Sequence, residues 1–423
     1  MHIRFWPLLA ISLSAALLQQ PVFAQARKPA ADQTSSEIPA AATEPTKPVI
    51  DTTKPPPPTI ADLVLLLQSY KPDRERVQRL RAEMEAALPA TTDPVDLAVA
   101  WHRKANAAEE LQEIEQRSEF LEKALGYLRQ SNNLEGGEIG GYLRVRGEYA
   151  VNLWRLKGVA ASQDSFLEFE SELEKRQNIN QGFLIGVYTH ITDNYVHLGD
   201  LDNARRQLAK LDAHYRRLSS NPRAAMMLPH FSMQVESARG FLLGHAGHLD
   251  EAERAYLASI RQGEENIRLN PIRASRRMFA PPVDRLLVIN DSNRIFLANT
   301  LTTEQRLDES ELLLREVLKS SLVRDGRNSF IVGRALWALS LVFTNRGRFT
   351  EAVVLAEWAD KALTDAGMSE PSPARPHGRL SLANPPGRVA RAPTPGRAAM
   401  PDLDSHFDER RRGEVIHYVT EKY

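Results

Sequence analysis

Four segments of the chain repeat one arrangement of turn, small and large residues, and few folds accommodate it. The turns read Leu198-Gly199-Asp200-Leu201, Ala246-Gly247-His248-Leu249, Glu304-Gln305-Arg306-Leu307 and Arg346-Gly347-Arg348-Phe349. Three residues beyond each turn stands a small residue: Ala204, Ala252, Ser310 and Ala352. Seven residues before each turn's second member stands another: Thr192, Gly240, Ala298 and Ser340. Three further on comes a large one: Tyr195, Leu243, Leu301 and Phe343. Two antiparallel helices joined by a tight turn approach closely only where both carry small side chains, and the large residues then fill the space between one hairpin and the next. A turn glycine admits the left-handed backbone that a tight helix end needs. A single hairpin cannot bury its own apolar face, so several must stack.

The surrounding sequence supports the same reading. Ile60, Leu63, Val64 and Leu67 share one helical face, as do Val77, Leu80, Met84 and Leu88. No alternating strand pattern of useful length is present. The repeated positions resemble the tetratricopeptide repeat in four consecutive units, strongly from Val187 onward, with weaker units over Asp96 to Leu128 and Tyr142 to Leu173. The expected fold is all-α: an α-solenoid of stacked helix-turn-helix repeats over 93–367, preceded by a helical pair over 59–92. The small residues after the turns are 48, 58 and 42 positions apart, whereas the standard repeat is about 34 residues. Longer helices or inserted loops must make up the difference, and Asn270 to Asp291, with three prolines, reads as one such insertion.

The two ends differ from this middle. A basic start, an apolar stretch from Phe5 to Leu18 and Val22-Phe23-Ala24, with small or medium residues at the two positions a signal peptidase reads, form the three parts of a secretory signal over 1–24. Residues 25–58 are proline-rich and close on Pro55-Pro56-Pro57-Pro58, the composition of a disordered linker or spacer. Signal style and lack of cysteine together place the chain in the periplasm or envelope of a Gram-negative bacterium. Residues 368–423 read as a Pro/Arg-rich disordered tail, either native or the product of a shifted reading frame. A solenoid usually needs a polar cap, and this one runs straight into the tail. An apolar face of Leu355, Trp358, Ala359 and Ala362 is therefore expected to be exposed and to promote self-association. Arrays with repeats of this length also resemble those preceding CHAT-type peptidase domains. The alternative reading is thus the regulatory half of a larger protein whose catalytic domain lies elsewhere.

Lys and Arg total 54 and so do Asp and Glu. That balance speaks against nucleic acid as a partner, and no segment of the mature chain is apolar for long enough to span a bilayer. Absence of cysteine removes disulfides, thiolate zinc sites and a cysteine nucleophile. There is no phosphate loop, dinucleotide fingerprint, HExxH or GxSxG, so no cofactor, metal or catalytic residue is assigned and no enzyme activity is expected. His190 and His197 lie too far apart to chelate one metal and read as ordinary surface histidines. Trp154, Trp337 and Trp358 read as core, and Asp308, Glu309 and Glu311 as an acidic helix start. The resemblance implies a concave groove lined by the first helix of each hairpin, which takes a segment of another protein. In this register Thr189, Asp193, Ser237, Phe241, Asn299, Trp337 and Leu341 line it. Only Asn299 matches the residue types by which one subclass holds a C-terminal carboxylate, so an extended or helical protein segment is the expected partner.

Overall fold

The computed structural model describes residues 55–367, apart from 72, 132–139, 177–178, 277 and 279. The signal sequence, most of the linker and the C-terminal tail lie outside the described residues. Within them every regular element is a helix: α1 Ala61–Ser69, α2 Arg74–Glu85, α3 Pro94–Glu110, α4 Ile114–Ser131, α5 Gly141–Lys157, α6 Val159–Glu174, α7 Gln181–His197, α8 Leu201–Ser219, α9 Leu228–His245, α10 Leu249–Ser275, α11 Val283–Thr303, α12 Leu307–Asp325, α13 Phe330–Asn345 and α14 Phe349–Asp365. A 3-10 turn over Pro222–Met227 joins α8 to α9. Several helices begin on side-chain caps. Asp73, Asp93, Asn180, Asp200 and Ser329 each accept from a backbone N–H of the first turn.

The odd-numbered helices from α3 to α13 each form an antiparallel hairpin with the next helix, and the hairpins stack into an α-solenoid. Four hairpins share one turn geometry. At the α7–α8 turn Gly199 is left-handed, its N–H donates to the Val196 carbonyl, and the Asp200 N–H donates to that of Tyr195. The same pair of bonds recurs around Gly247, Gln305 and Gly347. This is the helix-ending motif in which a left-handed residue reroutes two backbone donors onto otherwise orphaned carbonyls. The carbonyls of Tyr195, Leu243, Leu301 and Phe343, the large residues of the repeat, accept the longer bond. The small residues are buried as their spacing requires: Ala204, Ala252 and Ser310 are fully enclosed. Gly240 faces Tyr256, whose ring lies 3.0 Å from where a β-carbon would stand, so the missing side chain of one helix makes room for a ring of the next.

The irregular spacing comes from helix length rather than loops. Asn270 to Asp291 is not an inserted loop: α10 continues through Pro271 to Ser275, and α11 starts at Val283. The Arg273 guanidinium reaches back to the Asn266 carbonyl (2.7 Å) across the turn that the proline disrupts.

The solenoid winds tightly enough for its two ends to meet. Arg315 on α12 donates to both carboxylate oxygens of Asp62 on α1 (2.7 and 2.8 Å) and to the Thr59 carbonyl (2.9 Å). Arg76 on α2 donates to the Arg324 carbonyl (3.2 Å), and Arg285 on α11 pairs with Glu109 on α3 (3.0 Å). Arg155 on α5 donates to the Ala366 carbonyl just beyond α14, and Gly367 lies against Ile114 and the Gln112 carbonyl. These contacts form a seam. The seam corrects the expectation of an uncapped last hairpin: Leu355, Ala359 and Ala362 are buried, and Trp358 is half-buried under the Arg327 guanidinium. Arg155, Gln112 and Ile114 meet the residues just after α14, and most of the face expected to drive self-association is buried.

Candidate functional site

The odd-numbered helices from α5 to α13 line the inside of the winding, and their side chains close a circuit. Trp154 on α5 meets His197 on α7 (centroids 6.4 Å apart), and His197 meets Phe241 on α9 (4.6 Å). Phe241 meets Phe296 on α11 (5.2 Å). The Arg334 guanidinium on α13 sits over Phe296 (4.9 Å) and over Phe330 (5.7 Å), and Phe330 returns edge-on to Trp154 (6.0 Å). The inside is therefore packed, and the residues expected to line an open groove fare differently. Thr189, Asp193, Ser237 and Phe241 are buried; Asn299, Trp337 and Leu341 are half-buried. Ser237 donates to Asn293 on α11 (2.7 Å), and Thr189 donates to its own helix at the Ile185 carbonyl (2.9 Å). Only Phe241 and Asn299 are brought together, on the wall of a hollow of about 40 Å³ that also includes Tyr256 and Phe296. The open groove is thus corrected: in this tight superhelix facing inner helices fill one another's space.

Two buried ionisable groups on these inner helices lack the partners that burial demands. Asp193 is 2 % exposed, and neither carboxylate oxygen has a hydrogen-bond partner. It borders a cavity of about 10 Å³ shared with His190, Asn194 and Ser162, large enough for one water-sized group. Burial alone pushes its carboxyl well above the aspartate range. His190 is stacked on Phe166 (5.2 Å), so it is not a surface histidine, and burial pulls it down to about 3. Arg334 is 1 % exposed and makes one hydrogen bond, to Ser292 Oγ (3.2 Å), while its Nε and Nη2 have none. Burial pulls it down to about 9.

The accessible feature is at the seam. A cleft of about 450 Å³ opens between α2–α3 and α11–α13. Arg76, Arg79, Glu109, Asp284 and Arg285 line its charged walls, and Val288, Phe330 and Ile331 its apolar part. Although burial pushes Glu109 upward, Arg117 and Arg285 hold its carboxyl below the usual range, so the pair across the seam is ionised at neutral pH. Glu311, read as part of an acidic helix start, is fully buried and pairs with Arg315 (2.8 Å) and Arg346 (3.1 Å). Among the described residues no group of three or more His, Cys, Asp or Glu could hold a metal ion.

The model of the tetratricopeptide repeat matches residues 98–127. The hairpin α3–α4 is similar to a tetratricopeptide repeat. Its turn has the geometry of the other four: Gln112 is left-handed, and the Glu113 N–H donates to the Ala108 carbonyl (2.8 Å). No curated protein matches the chain. Three solved structures are similar to the chain. BtubC (BKLC) from P. vanneervenii is 11% identical, with 71% of this chain and 99% of that one covered and a TM-score of 0.35. A Rap protein complexed with competence and sporulation factor is 13% identical, with 69% and 72% covered and a TM-score of 0.38. A putative kinesin light chain with TPR-like repeats from Podosopora anserina is 15% identical, with 54% and 97% covered and a TM-score of 0.30. Among the described residues no helix is long and apolar enough to cross a membrane. Arg334 and the seam arginines were not singled out from the sequence. One available signal was an arginine inside the otherwise apolar stretch Phe330-Ile331-Val332-Gly333-Arg334-Ala335-Leu336.

Proposed function

We propose that the chain is an exported, non-catalytic scaffold of the bacterial envelope that holds a segment of another protein, and that the segment enters at the seam cleft. The observation that carries this reading is the cleft itself. At about 450 Å³ it falls in the size range of binding sites. It offers charged walls beside apolar residues, and Phe330 and Ile331 at the start of α13 form part of its lining. The balanced charge of the chain favours a protein partner over nucleic acid. Two measurements test the reading. Expressed in a Gram-negative host, the mature chain is expected in the periplasm with Gln25 at its N-terminus; Met1 recovered from a cytoplasmic pool overturns export. A photo-crosslinking amino acid at Arg79 or Asp284 is expected to trap a discrete partner, whereas one at Arg205 on α8, which is exposed, is not. Equal trapping at all three positions overturns the cleft as the point of entry.

A further inference from the structure

The chain has no cysteine, so all of its sulfur belongs to methionine. Two of the methionines, Met226 and Met227, stand side by side in the 3-10 turn Pro222–Met227 that joins α8 to α9. Each receives an arginine from the C-terminal end of α10. Arg273 Nη1 donates to Met227 Sδ (3.8 Å) inside the fold, and Arg276 Nη1 donates to Met226 Sδ (3.3 Å) at the surface. The joint between the hairpins α7–α8 and α9–α10 is thus tied to the end of α10 by two guanidinium–thioether contacts.

The two contacts differ in what reaches them. Met227 is buried, as is Met233 on α9, whereas Met226 is half-buried and Arg276 exposed. Arg276 caps α10, and its backbone N–H donates to the Ile272 and Arg273 carbonyls (3.2 and 3.1 Å). The base of the side chain is therefore anchored while its head is open to solvent. A thioether is a weak acceptor, and a guanidinium makes its strong bonds to oxygen. The donor beside Met226 is poorly matched to the sulfur it meets, and oxidation of a thioether puts a polar oxygen on that sulfur.

We propose that Met226 is a site of reversible oxidation to the sulfoxide, and that Arg276 receives the new oxygen, so that oxidation tightens the joint between α8, α9 and α10. Sulfoxide formation ordinarily disrupts packing; here a donor already in place turns a weak contact into a charge-assisted one. The oxidant is a hydroperoxide. A lone pair of the sulfur attacks one peroxide oxygen, and the O–O bond breaks as the S–O bond forms. Sulfur gives up two electrons. The departing oxygen takes them, picks up the proton of the transferred oxygen and leaves as water or an alcohol. Sulfur has two lone pairs, and each gives a different sulfoxide epimer. The one turned toward Arg276 gives the epimer whose oxygen meets the guanidinium, and the same guanidinium donates to the departing oxygen. That epimer is formed in excess. Met227, enclosed beside Arg273, is shielded from the oxidant. None of these residues lines the seam cleft, so the proposal is independent of what the cleft holds.

Hydrogen peroxide followed by mass spectrometry of fragments tests the site. Met226 is expected to oxidise at least tenfold faster than Met227 and Met233, and equal rates overturn the assignment. Sulfoxide reductases selective for one epimer or the other test the geometry. One of the two is expected to restore most of Met226 in the parent, whereas each restores about half in Arg276→Ala. Equal parts of both epimers in the parent overturn capture by Arg276. Tightening is read from trypsin cleavage after Arg223, an exposed residue of the same turn. Oxidation is expected to slow this cut at least threefold in the parent, and to slow it in neither Arg276→Ala nor Met226→Leu. A cut that is unchanged or faster in the oxidised parent overturns the tightening. Equal slowing in Arg276→Ala shows that the arginine plays no part, and equal slowing in Met226→Leu that another methionine is responsible; either overturns the proposal.

Discussion

A carboxyl group buried with no donor near it has one inexpensive state, the neutral one. Asp193 is in that position: both oxygens are without partners, and burial raises its pKa in the folded chain. The sign of the consequence follows. Between the ordinary aspartate pKa and the raised one the folded chain holds a proton that the unfolded chain has lost, so stability falls as pH rises through that window. His190, pulled down to about 3, acts oppositely between about 3 and its ordinary value near 6.5. Asp193→Asn isolates the first effect, since His190 is common to both proteins. The variant is expected to match the parent near pH 4 and to gain on it by about 1.4 kcal/mol per pH unit above that, until Asp193 ionises in the fold. Urea midpoints from pH 4 to 7 check this, and a difference that does not change with pH would contradict it. The repeat register set Asp193 on the side of its helix that was expected to line a groove. What the register could not convey is that this side faces another helix, because the space between inner helices depends on how tightly the superhelix winds.

At the scale of the element, five turns share one geometry and two of them have glutamine where the others have glycine. Gln112 and Gln305 occupy the left-handed region at φ 63° and 65°, a conformation that costs a residue with a β-carbon about 1 kcal/mol. Gln305→Gly is expected to raise stability by about 0.5–1 kcal/mol, and Gly247→Ala to lower it by about 1 kcal/mol, both read from chemical unfolding. Four hairpins stood out in the sequence by their small and large residues, the one at Gln305 among them although its turn has no glycine. The α3–α4 hairpin, whose turn carries Gln112, read as weaker, although it is the one that matches the repeat model. Small residues at the contact were read correctly: Ala252 is fully buried and opposite Gly244. Ala252→Leu is therefore expected to cost about 1–3 kcal/mol from overpacking. Its neighbour Glu253 does not point freely to solvent, because it accepts from Arg306 across the turns (2.8 Å). Arg254, which is exposed, is the proper control: Arg254→Leu is expected to change stability by about 0.5 kcal/mol or less.

For the molecule as a whole, the decisive fact is that the array closes. Nothing in the periodicity announces this, since each hairpin specifies its neighbours and closure depends on a small rotation summed over all of them. The seam residues gave no signal either: Asp62, Glu109 and Arg285 look like any exposed charges until the far end of the chain is beside them. Deleting residues up to Leu88 removes α1, α2 and the partners of Arg315 at Asp62 and Thr59. Trypsin is then expected to cut first in α12, around Arg315 and Lys319, while the α7–α8 hairpin retains its protection; uniform cutting would mean that the seam supports no particular region. Closure also imposes an order in time. Neighbouring hairpins can stack on one another as they are made, but Asp62 must wait for Arg315, 253 residues later, and contacts that distant form last. Throughout that interval the inner wall stands open, so a partner present while the chain is still emerging meets a surface that the finished ring conceals.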